Sequence, residues 1–247
     1  QLLVKVGVSA VDYDGARKNV ESEMAGFDFD GTRKAAREAW NGYLSKIEVP
    51  TTADSDDLKK FYTAMYHTAI SPNLFTDVDG RYFGMDRKIH QGDAENPVYT
   101  IFSIWDTFRA LHPLLTIIDP QLNDDFLNSL LLKAEEGGVL PKWELAGNYT
   151  GTMIGYHAAS LFADAVAKGQ NSFDVNDALK ASVRAAEYDT SGIVCPPKVL
   201  PHVMPMAKYY KNTLGYIPSD KENESVAKAL EYAYDDWCIS QLATAAG

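Results

Sequence analysis

The sequence has few cysteines, few basic residues and no long apolar run. Its 247 residues contain two cysteines, Cys195 and Cys238, and neither lies in a Cys-x-x-Cys pair. This argues against a zinc site, and the spacing leaves both a disulfide and the redox compartment undetermined. No apolar run approaches the roughly 18 residues of a membrane span. Lys and Arg number 23 against 34 Asp and Glu, which argues against nucleic acid and anionic membranes as partners, because both require basic patches.

What is present indicates a folded protein. The hydrophobic share of 46% excludes a disordered chain, and 247 residues allow one large domain or two small ones. A net charge of -11 fits a neutral or cationic substrate, a bound metal ion, or solubility alone. The chain starts at Gln1 within an apolar strand pattern and ends just after a long helical pattern, so we expect both ends to belong to a longer polypeptide.

The first part of the chain predicts a strand, two helices and a hairpin. Leu2–Val8 alternates loosely and is rich in valine, which predicts a strand whose partner sheet lies upstream. Helices are predicted over 12–24 and 32–45, and Pro50 closes this linker region. Asp79-Gly80 stands between two short apolar runs, which is typical of a β-hairpin turn.

The rest of the chain is predicted to be almost wholly helical. Glycines and prolines separate the periodic segments. The predicted helices are 54–70, 103–117, 121–136, 156–168, 174–187, 199–211 and 222–245. Helices joined by loops of uneven length favour a toroid of paired helices over a compact four-helix bundle.

The loop 140–156, LPKWELAGNYTGTMIGY, has the highest density of polar and aromatic residues and no regular period. Glu144 stands beside Trp143 between glycines, and burial there would hold its carboxyl protonated, as a general acid requires. Trp143 offers a flat apolar face to a sugar ring. The alternative is a structural loop in which Trp143 fills the core and Glu144 pairs with Lys142.

A second candidate segment is SIWDTFRALH. Ser103 and Asp106 fit a capping box at the start of a helix. Trp105, Arg109 and His112 then fall on one side of that helix, opposite an apolar side. A Trp on a polar side indicates a face that looks into a cavity, whereas Asp106 is equally explained by capping alone.

A third segment, EYAYDDW, lies in the last predicted helix. The spacing places Asp236 on a mostly apolar side, so we expect it to be buried and bonded, as a site carboxylate or as part of an internal salt bridge. Asp235 falls on a narrow polar strip with Lys228 and Glu231, and we expect it to be more exposed.

Four strings in the same order carry a resemblance to a known family. They are SPNLFTDVDGRYFG, YTIFSIWDTFRALHPLL, GGVLPKWELAGNYTGTMIGYHA and LEYAYDDWCISQLA. Together they resemble glycoside hydrolase family 92, the bacterial exo-acting α-mannosidases. The resemblance implies a mainly α chain that is part of an (α/α)6 barrel, with a leading strand from a β-sandwich and one β-hairpin. It assigns 1–11 to the end of the sandwich, 12–50 to a helical linker and 51–247 to the first part of the barrel.

The resemblance also implies the chemistry. Family members remove terminal α-mannose with inversion, and a calcium ion contacts O2 and O3 of the mannose. The general acid carries over to Glu144. The general base is Asp235, Asp236 or a residue beyond Gly247, and the calcium ligands are not placed. The candidate substrate-binding residues are Trp105, Asp106, Arg109, Trp143, Asn148 and His157.

The resulting expectation is an exo-acting inverting α-mannosidase that acts on mannose-containing glycans such as N-glycans or mannans. We expect it to work in the periplasm, at the cell surface or outside a bacterium, and to need the remainder of its polypeptide for activity. Two alternatives remain: a non-catalytic carbohydrate-binding or scaffold domain, and another (α/α)6 sugar enzyme such as a glucosidase or a lyase.

Overall fold

The structure is a computed structural model, and it describes residues 2–50, 52, 54–93, 96–170 and 172–247. Helices dominate this part of the chain. They are α1 (Tyr13–Glu23), α2 (Phe29–Leu44), α3 (Ser55–Thr68), α4 (Ile104–Thr107), α5 (Leu111–Ile118), α6 (Pro120–Gly137), α7 (Ala158–Ala167), α8 (Val175–Ala186), α9 (Leu200–Val203), α10 (Met206–Leu214) and α11 (Ser225–Ala246). Within the described ranges, no helix combines the length and apolar character needed to cross a membrane. The predicted domain boundary at residue 51 falls outside the described residues.

Aspartates and prolines explain most helix boundaries. The carboxylates of Asp12, Asp28, Asp54 and Asp174 each accept a backbone N–H at the start of α1, α2, α3 and α8. Two predicted helices are each broken in two. Pro113 lies in the first turn of α5, because further inside a helix its ring would clash with the preceding turn. Pro205 stands at the N-cap of α10 and separates it from α9.

The strands are short antiparallel pairs. β1 (Asn73–Leu74) pairs with β4 (Tyr99–Thr100), β2 (Arg81–Phe83) with β3 (Ile89–Gln91), and β5 (Phe102–Ser103) with β6 (Trp143–Glu144). The predicted hairpin therefore exists, but it turns at 84–88 rather than at Asp79-Gly80. The Gly80 N–H donates to the Asp77 carbonyl at 2.8 Å, so this dipeptide forms a tight turn just before β2.

The prediction of a strand over Leu2–Val8 is wrong for the described residues. The segment lies along α1: Asn19 Nδ2 donates to the Val8 carbonyl at 2.8 Å and Lys5 Nζ to the Met24 carbonyl at 2.6 Å. Leu2, Val4, Val6 and Val8 are exposed. The alternation indicated by the sequence is present, but no neighbouring strand pairs with the segment, and a strand needs such a partner for its backbone groups.

The N-terminal region is joined to the helical domain through Asp77. This buried carboxylate accepts hydrogen bonds from Ser9 Oγ at 2.7 Å and Asn19 Nδ2 at 2.7 Å. Gly15 passes so close that an added Cβ would stand 2.2 Å from Asp77 Oδ2. A larger side chain at this position would separate α1 from the rest of the molecule.

The core lies where α5 packs on α6 and where α11 packs on α7 and α8. The orientation of α11 is the reverse of the prediction. Its inward side carries Lys228, Tyr232, Asp235, Cys238 and Leu242, all buried. Four apolar residues that the helical spacing places together on another side, Val226, Leu230, Tyr234 and Trp237, are exposed. Asp235 is fully buried, and the side chain of Asp236 is 44% exposed, so both burial predictions are wrong.

Two leucines on α11 test this orientation. Leu242 is fully buried and Leu230 is 70% exposed. We expect Leu242→Ala to lower the free energy of unfolding by about 2–5 kcal/mol, because it leaves a cavity in the core. The matched Leu230→Ala should change it by roughly 0.5 kcal/mol or less, as surface substitutions usually do. Urea denaturation of the two variants measures both values, and similar losses would contradict the observed orientation.

Candidate active-site cavity

A cavity of about 640 Å³ opens between the loop 142–154, the α9–α10 region and the start of α11. The polar side chains that line it are Trp105, Lys142, His202, Lys221, Glu222, Asn223, Glu224, Lys228 and Glu231. Apolar lining comes from Met153, Ile154, Pro201, Pro205, Ala227 and Tyr232, with Gly151. A concave site with mixed apolar walls and a few polar groups is typical of small-molecule binding.

Three titratable groups form a chain of hydrogen bonds from the core to this cavity. Asp235 Oδ1 lies 2.7 Å from His157 Nδ1, and His157 Nε2 lies 2.8 Å from Glu231 Oε2. Asp235 Oδ2 also accepts the Tyr156 N–H at 2.7 Å. Burial raises the pKa of Asp235, while its hydrogen bond to His157 acts in the opposite direction. We call Asp235, His157 and Glu231 the carboxylate–histidine relay.

The two contacts of His157 with carboxylates couple the three groups of the relay. Each ring nitrogen of His157 faces a carboxylate oxygen, and a carboxylate can only accept unless it is protonated. Each of the two contacts therefore needs a proton. The side chains of His157 and Asp235 are 1% and 0% exposed, whereas that of Glu231 is 20% exposed. Glu231 is thus the member of the relay that reaches the cavity.

Residues of α4 and of the turn that follows it supply further contacts of Glu231 and His157. Trp105 Nε1 donates to its carboxylate at 2.9 and 3.1 Å, and Arg109 Nη2 lies 3.6 Å from Oε1. The ring of Phe108 stacks on His157 with centroids 4.0 Å apart. The predicted link between Trp105 and a cavity therefore holds. His157 lies behind the cavity wall, where it contacts Glu231 rather than the cavity itself.

The other predicted binding residues do not line this cavity. Asp106 is exposed and bonds the hydroxyl of Ser103, which makes no backbone cap at α4. Trp143 lies in β6. Asn148 Nδ2 donates to the Ala146 carbonyl at 2.8 Å within its own turn. His112, expected on the polar side of its helix, is buried, and this burial lowers its pKa to about 4.

Glu144 is a buried structural carboxylate in this structure. Its side chain is 0% exposed and lies 3.0 Å from Lys133 Nζ, which is also buried. It further accepts from Thr100 Oγ1 at 2.9 Å, Ile101 N at 3.1 Å and Gly147 N at 2.7 Å. Among the described residues, these donors and the surrounding core enclose the carboxylate completely. Within the described residues this geometry supports the structural alternative, with Lys133 in place of Lys142.

The Glu144 interactions position the segment that reaches the cavity. Ile101 has φ 68°, which is a strained conformation for a β-branched residue. Its N–H is held by Glu144, and β5 begins at the next residue and pairs with β6. The Trp105 segment follows directly. The loop singled out by its composition is thus important for the site, through support rather than through direct chemistry.

Neither aspartate proposed as the base meets the cavity. Asp235 is enclosed by His157 and the Tyr156 backbone. Asp236 faces outward, where it accepts from Tyr156 Oη at 2.5 Å and pairs with Lys211 at 2.8 Å. Sequence reasoning missed Glu231 as a site residue. The available signal was the strip Lys228, Glu231 and Asp235 on one side of α11, which was interpreted as solvated.

The comparisons with known proteins agree with the fold. The family model for the glycosyl hydrolase family 92 catalytic domain matches residues 15–247. The chain belongs to glycosyl hydrolase family 92. A family GH92 α-mannosidase of Bacteroides thetaiotaomicron is 39% identical with a TM-score of 0.82, over 96% of this chain and 30% of that one. A second protein of that organism, described as a GH92 inverting mannosidase, is 33% identical with a TM-score of 0.84, over 96% of this chain and 31% of its own.

A fungal protein is also similar to this chain. An uncharacterized secreted glycosidase of Arthroderma benhamiae is 26% identical over 98% of this chain and 28% of its own length. This family 92 chain therefore spans under a third of the length of each of these relatives. The likeness to the solved structures also confirms the predicted fold class, mainly α and part of an (α/α)6 barrel.

The structural role of Glu144 can be tested by substitution. We expect Glu144→Gln to lower the free energy of unfolding by about 3–5 kcal/mol, because it leaves the charge of Lys133 buried and unpaired. Adding Lys133→Met to the same variant should recover part of this loss. Denaturant unfolding of both variants measures the effect. A Glu144→Gln variant of unchanged stability that loses only activity would instead support the general-acid assignment.

Proposed function

We propose that the complete polypeptide carrying this sequence is an exo-acting, inverting α-mannosidase. Its substrates would be terminal α-mannose residues of glycans such as N-glycans or mannans. The observation that carries the proposal is the family 92 match over residues 15–247 together with 39% identity to an α-mannosidase. That same relative has also been solved with mannoimidazole, and another is described as inverting.

Further support comes from the cavity and from the relatives. The cavity offers an aromatic residue, Trp105, and an anchored carboxylate, Glu231, in one concave site. We propose an extracytoplasmic location, in the periplasm, at the cell surface or outside a bacterium, because the fungal relative is named as secreted.

Inversion requires two carboxyl groups about 6.5–9.5 Å apart on opposite sides of the sugar, with a water beside the base. Glu144, Asp235 and Asp236 do not reach the cavity, so we place neither role on them. The proposal leaves the acid and the base unassigned, and it assigns sugar binding to Trp105 and Glu231, which line the cavity.

The test uses the longest natural polypeptide that carries these residues. We expect it to release mannose from α-linked mannobiose and from an aryl α-mannoside, and to leave the matched aryl α-glucoside intact. Proton NMR at early times should show β-mannose as the first product, since inversion reverses the anomeric configuration. α-Mannose as first product would contradict inversion, and release of internal fragments from a mannan would contradict exo action.

Calcium dependence is a separate proposal for the complete enzyme. The described residues contain no group of three or more His, Cys, Asp or Glu side chains able to hold a metal ion. A calcium site that uses these residues would therefore need carbonyl, amide or water oxygens, or further ligands from the complete polypeptide. We expect the complete enzyme to lose activity in chelator and to regain it with Ca²⁺ but not with added Na⁺. Full activity after exhaustive chelation would contradict the proposal.

The same assay decides between the enzyme and a non-catalytic binding domain. A binding domain would retain mannosides in calorimetry and release no sugar over long incubation. Turnover on α-glucosides or elimination products would instead favour another (α/α)6 sugar enzyme.

A further inference from the structure

We propose that Glu231 binds a hydroxyl group of the sugar in the cavity, and that His157 and Asp235 are positioning residues that hold its carboxylate in place. The identity of the sugar as mannose rests on the proposed function. The assignment of Glu231 as a ligand-binding carboxylate rests on the contacts of the relay and on the lining of the cavity.

Glu231 lines the cavity, and its carboxylate has unused hydrogen-bonding capacity. Its Oε2 accepts from His157 at 2.8 Å and shares the Trp105 N–H, which lies 2.9 Å from Oε2 and 3.1 Å from Oε1. Besides this shared donor, the described residues give Oε1 only the longer contact of 3.6 Å to Arg109 Nη2. A carboxylate offers about four acceptor positions, so Oε1 can accept a further O–H from a ligand.

Two side chains from separate parts of the chain hold this carboxylate directly: Trp105 comes from α4 and His157 from the residue before α7. Asp235 acts through His157, because it bonds the other ring nitrogen of that residue. A free glutamate loses rotamer freedom when it binds a ligand, which weakens affinity. Because Glu231 is already held, its rotamer freedom is lost when the protein folds rather than when the sugar binds.

The charges around the cavity favour a neutral ligand. Three lysines line it, Lys142, Lys221 and Lys228, and three glutamates, Glu222, Glu224 and Glu231. Lys228 and Glu222 pair at 2.8 Å. Burial lowers the pKa of Lys142 to about 8, and its ammonium donates to the carbonyls of Met153 and His202 at 3.0 and 2.6 Å. With the charges balanced and Arg109 and His157 already beside Glu231, a polyhydroxylated neutral molecule fits better than an ion.

The experiment measures the affinity for mannoimidazole by calorimetry in the longest natural polypeptide. Glu231→Gln keeps the shape but removes the charge that strengthens the hydrogen bond, so we expect the dissociation constant to rise about 10- to 100-fold. Trp105→Phe keeps an aromatic ring and removes one donor to Glu231, and it should raise the constant about threefold to tenfold.

Asp235→Asn tests the positioning role. It removes the charge behind His157, and we expect a rise of about threefold to tenfold together with a lower kcat/KM. The downfield ring N–H resonances of His157 should also shift or vanish in NMR. The matched control is Asp177→Asn, an exposed aspartate on α8 paired with Lys180, which should leave the affinity and these resonances unchanged.

Each outcome decides the inference. Wild-type affinity in Glu231→Gln overturns it, and so does an Asp235→Asn variant in which the His157 resonances change while affinity and kcat/KM do not. If Asp235→Asn folds poorly, the affinities of Trp105→Phe and Glu231→Gln decide the inference. Failure of the wild-type protein to bind or cleave any mannoside would contradict the proposed function. The same variants would then be titrated with other neutral monosaccharides, and the absence of any Glu231-dependent binding would overturn the inference itself.

Discussion

The hydrogen bonds of 2.7 and 2.8 Å that join Asp235, His157 and Glu231 link the core of the molecule to its cavity. A buried carboxylate is costly unless it is paired and hydrogen-bonded. Asp235 meets this condition only if α11 turns its polar strip inward and brings it against the residue that precedes α7. The orientation of the longest helix, the packing of α7 and α8 against it, and the position of Glu231 at the cavity wall therefore depend on one another.

Local signals explain what could be predicted. Aspartates at N-caps, prolines in first turns and periodic apolar residues act within a few positions, so helices such as α1, α6 and α8 could be placed within a few residues. The breaks at Pro113 and Pro205 follow from the same local rules, because a proline is tolerated at the start of a helix but not in its interior. The family resemblance was carried by whole strings and is confirmed by the match to residues 15–247.

The features that could not be predicted depend on contacts between residues that lie far apart in the sequence. Asp235 and Glu231 lie 78 and 74 residues from His157, so no residue near α11 in the sequence indicates that its polar strip faces inward. Glu144 was compared with its neighbour Lys142, whereas its partner Lys133 lies on α6, 11 residues earlier. In both cases the role of a carboxylate depends on a partner that only the fold brings close.

The most direct measurement of the central claim is a crystal structure of the longest natural polypeptide with mannoimidazole bound. The account predicts a ligand hydroxyl within about 2.5–3.0 Å of Glu231 Oε1, the usual range for O–H···O bonds, with the Asp235–His157–Glu231 contacts retained. A ligand bound elsewhere, or a Glu231 carboxylate turned away from it toward solvent, would contradict the account.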